Sequence, residues 1–155
     1  MTQLSINFSL KEFIKSDTAT RKGLDNTPTP EVVANLQKLV DNVVQPIRNH
    51  YNKVITINSG YRSIEVNTSV GGSKTSDHCK GMAADIEISG VTNSDLAQHI
   101  VDTYKFTQVI LEFYTQGISD SGWVHVSYDA NNLKCEVLTA VKQDGKTIYM
   151  KGLHK

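Results

Sequence analysis

Three residues carry the types and spacing that suit metal chemistry: His78, Asp85 and His125. The first two share one stretch, SDHCKGMAAD, residues 76–85. Between them, Gly81, Ala83 and Ala84 have little or no side chain, so the chain can bend tightly and turn the imidazole of His78 toward the carboxylate of Asp85. His125 lies in WVHVS, where strand alternation sets it on the face opposite Val124 and Val126. Taken singly, each residue reads as well as a packed histidine or a surface carboxylate. As a set from two strands they give two imidazoles and one carboxylate. Three protein ligands with an open fourth position is the pattern of catalytic zinc, which lowers the pKa of a bound water toward about 7.

Such a site needs a base and a group that orients the substrate. Glu112 closes the apolar run TQVILE, as either a solvated strand end or an acid aimed into a cleft. Arg62, after the glycine in SGYRS, is either a surface arginine or a bidentate clamp for a carboxylate. Cys79 adjoins His78, but adjacent residues on an extended chain point to opposite sides, so it reads as a packed or partly exposed thiol. With Cys135 it makes no disulfide framework. His50, His99 and His154 read as helix-surface or tail residues without function.

The elements that must position these groups show in the patterning. SLKEFIKSDTATRKG predicts a short helix with Ser9 as N-cap, Glu12 as its capping-box partner and Gly23 at its end. Thr29 and Pro30 start a longer helix, with Val32, Leu36, Leu39, Val40 and Val43 on one face, which Pro46 kinks or ends. A strand follows over 54–58, opening into a loop at Gly60, and SVGGSKTSDHCKG reads as loop. In AADIEIS, Ile86 and Ile88 share one face and Asp85 and Glu87 the other. TNSDLAQHIVDTY is a capped helix, TQVILEF a buried strand and WVHVSY another strand. CEVLTAVKQDGKTIYM is a hairpin turning at Asp144-Gly145. Helices first and then mostly antiparallel strands make an α+β fold.

The chain of 155 residues suits a single domain, 1–155, and 39% hydrophobic with 21% charged residues reads as soluble and globular. A formal net charge of zero gives no support to nucleic-acid binding. No stretch approaches a membrane span, so no membrane insertion is expected. The N-terminus shows no secretory signal. The expectation is a protein that is cytoplasmic as made.

In this order, SGYRS, VGGSKTSDH, SDHCKGMAAD and WVHVS resemble the M15 family of zinc peptidases, in its D-alanyl-D-alanine carboxypeptidase-like branch of bacterial cell-wall enzymes and phage lysins. The early FSLKEFIKSDTATRKGLDNTP is similar to the entry segment of that branch. The resemblance implies an α+β fold of the M15/Hedgehog-like type, with a central antiparallel sheet and N-terminal helices. It implies one Zn2+ per chain on His78, Asp85 and His125. Arg62 and Ser76 match positions that hold substrate, and Glu112 matches the acidic residue given the base role. In one respect the chain departs from the family pattern, which has an acid or histidine two or three residues before the last ligand. Here those positions are Trp123 and Gly122, neither of which moves a proton. Asp120 and Glu87 are alternative bases, and Trp123 is a wall of the cleft or part of the core. The implied activity is hydrolysis of peptidoglycan stem peptides, as a D-Ala-D-Ala carboxypeptidase or an L-Ala-D-Glu-type endopeptidase. The setting is a monomeric phage or prophage lysin reaching the wall after a holin opens the membrane. The alternative is a non-catalytic peptidoglycan-binding or virion-associated module on an M15-like scaffold.

Overall fold

A computed structural model describes residues 2–118 and 120–155. The N-terminal segment forms two helices where the sequence suggests one: α1, Leu10–Ile14, and α2, Asp17–Lys22. Ser16 breaks the run because its side chain caps α2, accepting from the Ala19 amide. The Ser9–Glu12 capping box and the left-handed Gly23 end are both present. Helix α3, Pro30–Leu39, starts at the Thr29 cap. Pro46 does not end it. A π-helical turn, Val40–Val44, precedes the proline, and α4 continues over Gln45–Tyr51.

Six strands form one sheet in the order β1-β2-β4-β3-β5-β6. They are β1 (Ile55–Ser59), β2 (Ala83–Ile88), β3 (Gln108–Glu112), β4 (Trp123–Ser127), β5 (Glu136–Gln143) and β6 (Lys146–Lys151). The sheet is mixed rather than antiparallel, because β5 joins β3 in parallel. The β5–β6 hairpin turns at Asp144 and Gly145, both at positive φ. Two stretches that the sequence predicts as loop contain helical turns: α5, Ile64–Ser69, capped by Ser63, and a 3-10 turn, Asp77–Lys80, capped by Ser76.

One face of the sheet presents Ala84, Ile86, Ile88, Val109, Leu111, Val124 and Val126, which are buried with Leu36, Leu39, Val43 and Ile47 of the helical layer. Helix α6, Asn93–Thr103, packs on β2, β3 and β4 and adds Leu96, Ala97 and Ile100. Period-two alternation then turns every second residue of β2, β3 and β4 to the other, polar face.

The rings of His50 and His99 stack with centroids 3.9 Å apart and 17° between planes, and His99 Nε2 lies 2.9 Å from the Tyr104 hydroxyl. These residues tie α4 to α6. Burial, then the charge of His50, hold His99 below its ordinary value, against a smaller opposing pull from Asp102. A histidine whose folded pKa is depressed contributes stability above its unfolded value of about 6.5, and that stability is lost as the pH falls through the folded value. The melting temperature is expected to fall on going from pH 8 to pH 5, and to fall less in His99→Gln. Equal falls in a differential scanning experiment would contradict this coupling.

Candidate metal centre and its groove

Asp85 and His125 are direct cross-strand partners on β2 and β4, so their side chains share the polar face. Asp85 Oδ1 is 3.1 Å from His125 Nδ1 and 3.4 Å from His78 Nε2. One ligand atom from each of the three residues lies within 4.8 Å of the others. A tetrahedral zinc with arms near 2.1 Å spans edges of roughly 3.4 Å. Two imidazole nitrogens and a carboxylate oxygen at these separations fit zinc in donor type and spacing.

His78 is brought in by its turn. Its Nδ1 is 2.7 Å from the Gly60 carbonyl oxygen, and that oxygen can only accept. Nδ1 therefore donates to that carbonyl, which leaves Nε2 as the ring nitrogen directed at Asp85. The carbonyl of His78 in turn accepts from the Arg62 amide at 3.1 Å. Gly81 ends the turn at φ +74, where a Cβ would lie 2.7 Å from the Val32 carbonyl of α3. Asn35 of α3 donates to the Lys80 carbonyl at 2.8 Å. The imidazole is thus held from both sides, and His78 is only 3% exposed.

The electrostatics follow from this crowding. Burial pushes the Asp85 carboxyl up, but hydrogen bonds from His125 and His78 and the charge of both rings outweigh it and hold it well below the usual carboxylate range. Burial disfavours the charge on His125, yet the bond to Asp85 and the carboxylates of Asp85, Glu112 and Asp77 raise its pKa. Burial, then the charge of Asp85, raise Glu112, against smaller opposing effects of His125, Trp123 and Arg62.

A groove of about 630 Å³ runs over this face, lined by the three cluster residues with Arg62, Ser76, Glu112 and Trp123. The structure thus brings together every site residue named from the sequence except the two alternative acids. Ser76 also caps the turn of His78, accepting from its amide at 3.2 Å. Arg62 Nε is buried without a hydrogen-bond partner among the described residues. Trp123 faces Glu112 across β4 and β3, and its indole Nε1–H donates to Glu112 Oε2 at 2.7 Å. The two alternative acids point elsewhere. Asp120 and Glu87 line a separate hollow, and Glu87 accepts from Asn58 Nδ2 at 2.7 Å and from Asn93 Nδ2 at 3.3 Å. Cys79 is outside the cluster, in another hollow with Tyr61 and Met82.

Three contributions carry no signal that sequence reasoning detected. Gly60 acts through a backbone oxygen. Tyr149, on β6, lines the groove beside Glu112. Gly122 has φ +66, and a Cβ there would run into the Glu112 carbonyl oxygen and lie 2.7 Å from the Phe113 carbonyl carbon. Together these observations explain the departure at 122 and 123. Position 122 must be glycine, and Glu112 stands on the neighbouring strand, directly opposite Trp123.

The peptidase M15 family profile matches residues 6–127. The chain belongs to the peptidase M15 family. No curated protein matches it. Membership supports a peptidase, and M15 peptidases are zinc-dependent. In this M15 chain the matched segment holds Arg62, Ser76, His78, Asp85, Glu112, Trp123 and His125, and the β5–β6 hairpin lies beyond it.

Gly122→Ala is expected to cost about 1–3 kcal/mol through its left-handed backbone alone, and to move the Glu112 end of β3. Thermal denaturation checks the first effect. A wild-type melting temperature would contradict the close approach.

Proposed function

We propose that this M15 peptidase is a zinc enzyme that hydrolyses peptidoglycan stem peptides, with His78, Asp85 and His125 as the zinc ligands. One placement supports this most. A carboxylate whose affinity for protons is raised, Glu112, shares an open groove with a three-residue donor set that leaves a coordination position free. Bound zinc would supply a Lewis acid for the scissile carbonyl and for the attacking water.

The chain's own residues do the rest. Glu112 Oε1 takes a proton from the attacking water, while Oε2 is held by the Trp123 indole. The water oxygen adds to the carbonyl carbon, the C–N bond breaks, and Glu112 returns the proton to the departing amine. Arg62 offers its guanidinium to a free carboxylate of the peptide, which both the carboxypeptidase and the endopeptidase reaction provide. Trp123 sets the orientation of the base and borders the cleft. No helix among the described residues is long and apolar enough to cross a membrane. A lysin of this kind would meet its substrate only after release to the wall.

Digestion of purified peptidoglycan, with mass spectrometry of the products, tests the activity and names the bond. Wild type is expected to carry one zinc and to cut. Glu112→Gln should keep its zinc and lose about 10²–10⁴-fold in kcat. One zinc with no cleavage of any wall chemotype would leave a binding module instead. Trp123→Phe removes a single bond to a charged group and is expected to lower kcat about tenfold, with zinc content unchanged. Loss of zinc from that variant would show that Trp123 supports the metal rather than the base.

A further inference from the structure

Arg62 borders two hollows. One is the groove of the metal cluster. The other, of about 440 Å³, is lined by residues of α2, the edge strand β1 and α5. That volume lies within the range of small-molecule sites. Its apolar lining is aliphatic: Ile57 on β1, Val66 on α5 and Val70 at the end of α5. Val70 is 45% exposed, so the apolar surface is open to a ligand.

Three charged side chains line the same hollow: Lys15, Asp17 and Arg62. The ion pairs of the described residues use none of the three. Arg62 Nε is in addition buried without a hydrogen-bond partner among the described residues. Two cations in one hollow repel each other and together attract an anion. Asp17 has a structural role in the first turn of α2, where a carboxylate complements the helix end. That role asks for neither Lys15 nor Arg62 in the same hollow. Two free cations, one free carboxylate and an aliphatic lining match one kind of ligand: an aliphatic stem that ends in a carboxylate and an ammonium.

Resting on the peptidase reading above, we propose that this hollow is the subsite for the diamino residue of the stem peptide. It selects a side chain that ends in a carboxylate and an ammonium on one carbon over a side chain that ends in an ammonium alone. The carboxylate lies between Lys15 and Arg62, the ammonium meets Asp17, and the stem covers Ile57 and Val70. In both reactions named above the diamino residue is the second residue from the cut, on one side or the other. Two extended residues span roughly 7 Å, and a peptide seated in the groove enters the hollow at Arg62. The five donors of the guanidinium suffice for this carboxylate and for one in the groove.

The test uses two stem-type peptides that are identical except at the diamino residue, which is diaminopimelate in one and lysine in the other. Five proteins are compared: wild type, Lys15→Gln, Lys15→Arg, Asp17→Asn, and Lys11→Gln as a control on an α1 lysine outside the hollow. Lys15, Asp17 and Lys11 are all exposed, so the core is untouched. Wild type is expected to favour the diaminopimelate peptide in kcat/KM by about tenfold, and by less at high salt, which screens the contact. Lys15→Gln should narrow the ratio to less than about threefold, through KM. Lys15→Arg and Lys11→Gln should keep it. Asp17→Asn should raise KM for both peptides by a like factor, because both carry the ammonium.

Equal kcat/KM for the two peptides in wild type, an unchanged ratio in Lys15→Gln, or an equal fall in Lys11→Gln overturns the subsite while leaving the peptidase intact. The same peptides, titrated calorimetrically into zinc-loaded Glu112→Gln with and without Lys15→Gln, read the preference without turnover. Peptides bound with the Lys15-dependent preference but not cut by wild type would keep the subsite and remove the peptidase reading. Peptides neither bound nor cut would overturn both.

Discussion

The Asp85 carboxylate between two imidazoles is the constraint on which the rest depends. One oxygen lies within 3.4 Å of a nitrogen on each ring. That contact exists only in one register of β2 against β4. A slip of one residue would turn Asp85 toward the helices and Ile86 into the groove. The register is therefore fixed by the buried face. Ala84, Ile86 and Ile88 of β2 and Val124 and Val126 of β4 are each no more than 3% exposed, and removing that apolar area from water is worth far more than the site itself. The hydrophobic core thus specifies the position of the polar cluster, and a buried carboxylate is tolerated because both rings satisfy it.

His78 is not on a strand and needs a different solution. It rides on a short 3-10 turn whose every approach is tied: Gly60 to the ring, Arg62 to the carbonyl, Ser76 to the amide and α3 against Gly81. The same ties bring Arg62 to the groove, so the residue assigned to substrate is positioned by the residue assigned to metal. Glu112 is set by the opposite kind of device. It stands at the end of β3, where Phe113 takes a positive φ of 58° and Gly122 closes on its carbonyl. Strain of that kind is kept where the surroundings over-determine it.

Much of this was legible in the sequence, and the limits have physical causes. Local rules worked. The Ser9–Glu12 box, the Thr29 and Thr92 caps, the Asp144-Gly145 turn and the alternation of Asp85 with Ile86 all depend on near neighbours. The cluster was legible because its three residues are of a type that water or a metal must satisfy, and they sit in a recognisable order. Helix continuity misled twice, at Ser16, whose cap starts a second helix, and at Pro46, which a π turn accommodates. The parallel pairing of β5 with β3 was not legible, because a long crossover leaves no local pattern. Tyr149 was missed for the same reason: its place beside Glu112 is created by that pairing.

The central claim is that His78, Asp85 and His125 hold one zinc and leave a coordination position open. X-ray absorption at the zinc edge of the metal-loaded protein tests it most directly. The account predicts a first shell of about four nitrogen or oxygen neighbours near 2.0–2.1 Å, with outer-shell scattering from two imidazoles and no sulfur. A sulfur neighbour near 2.3 Å, which would mean that Cys79 is a ligand, or scattering from a single imidazole would contradict it.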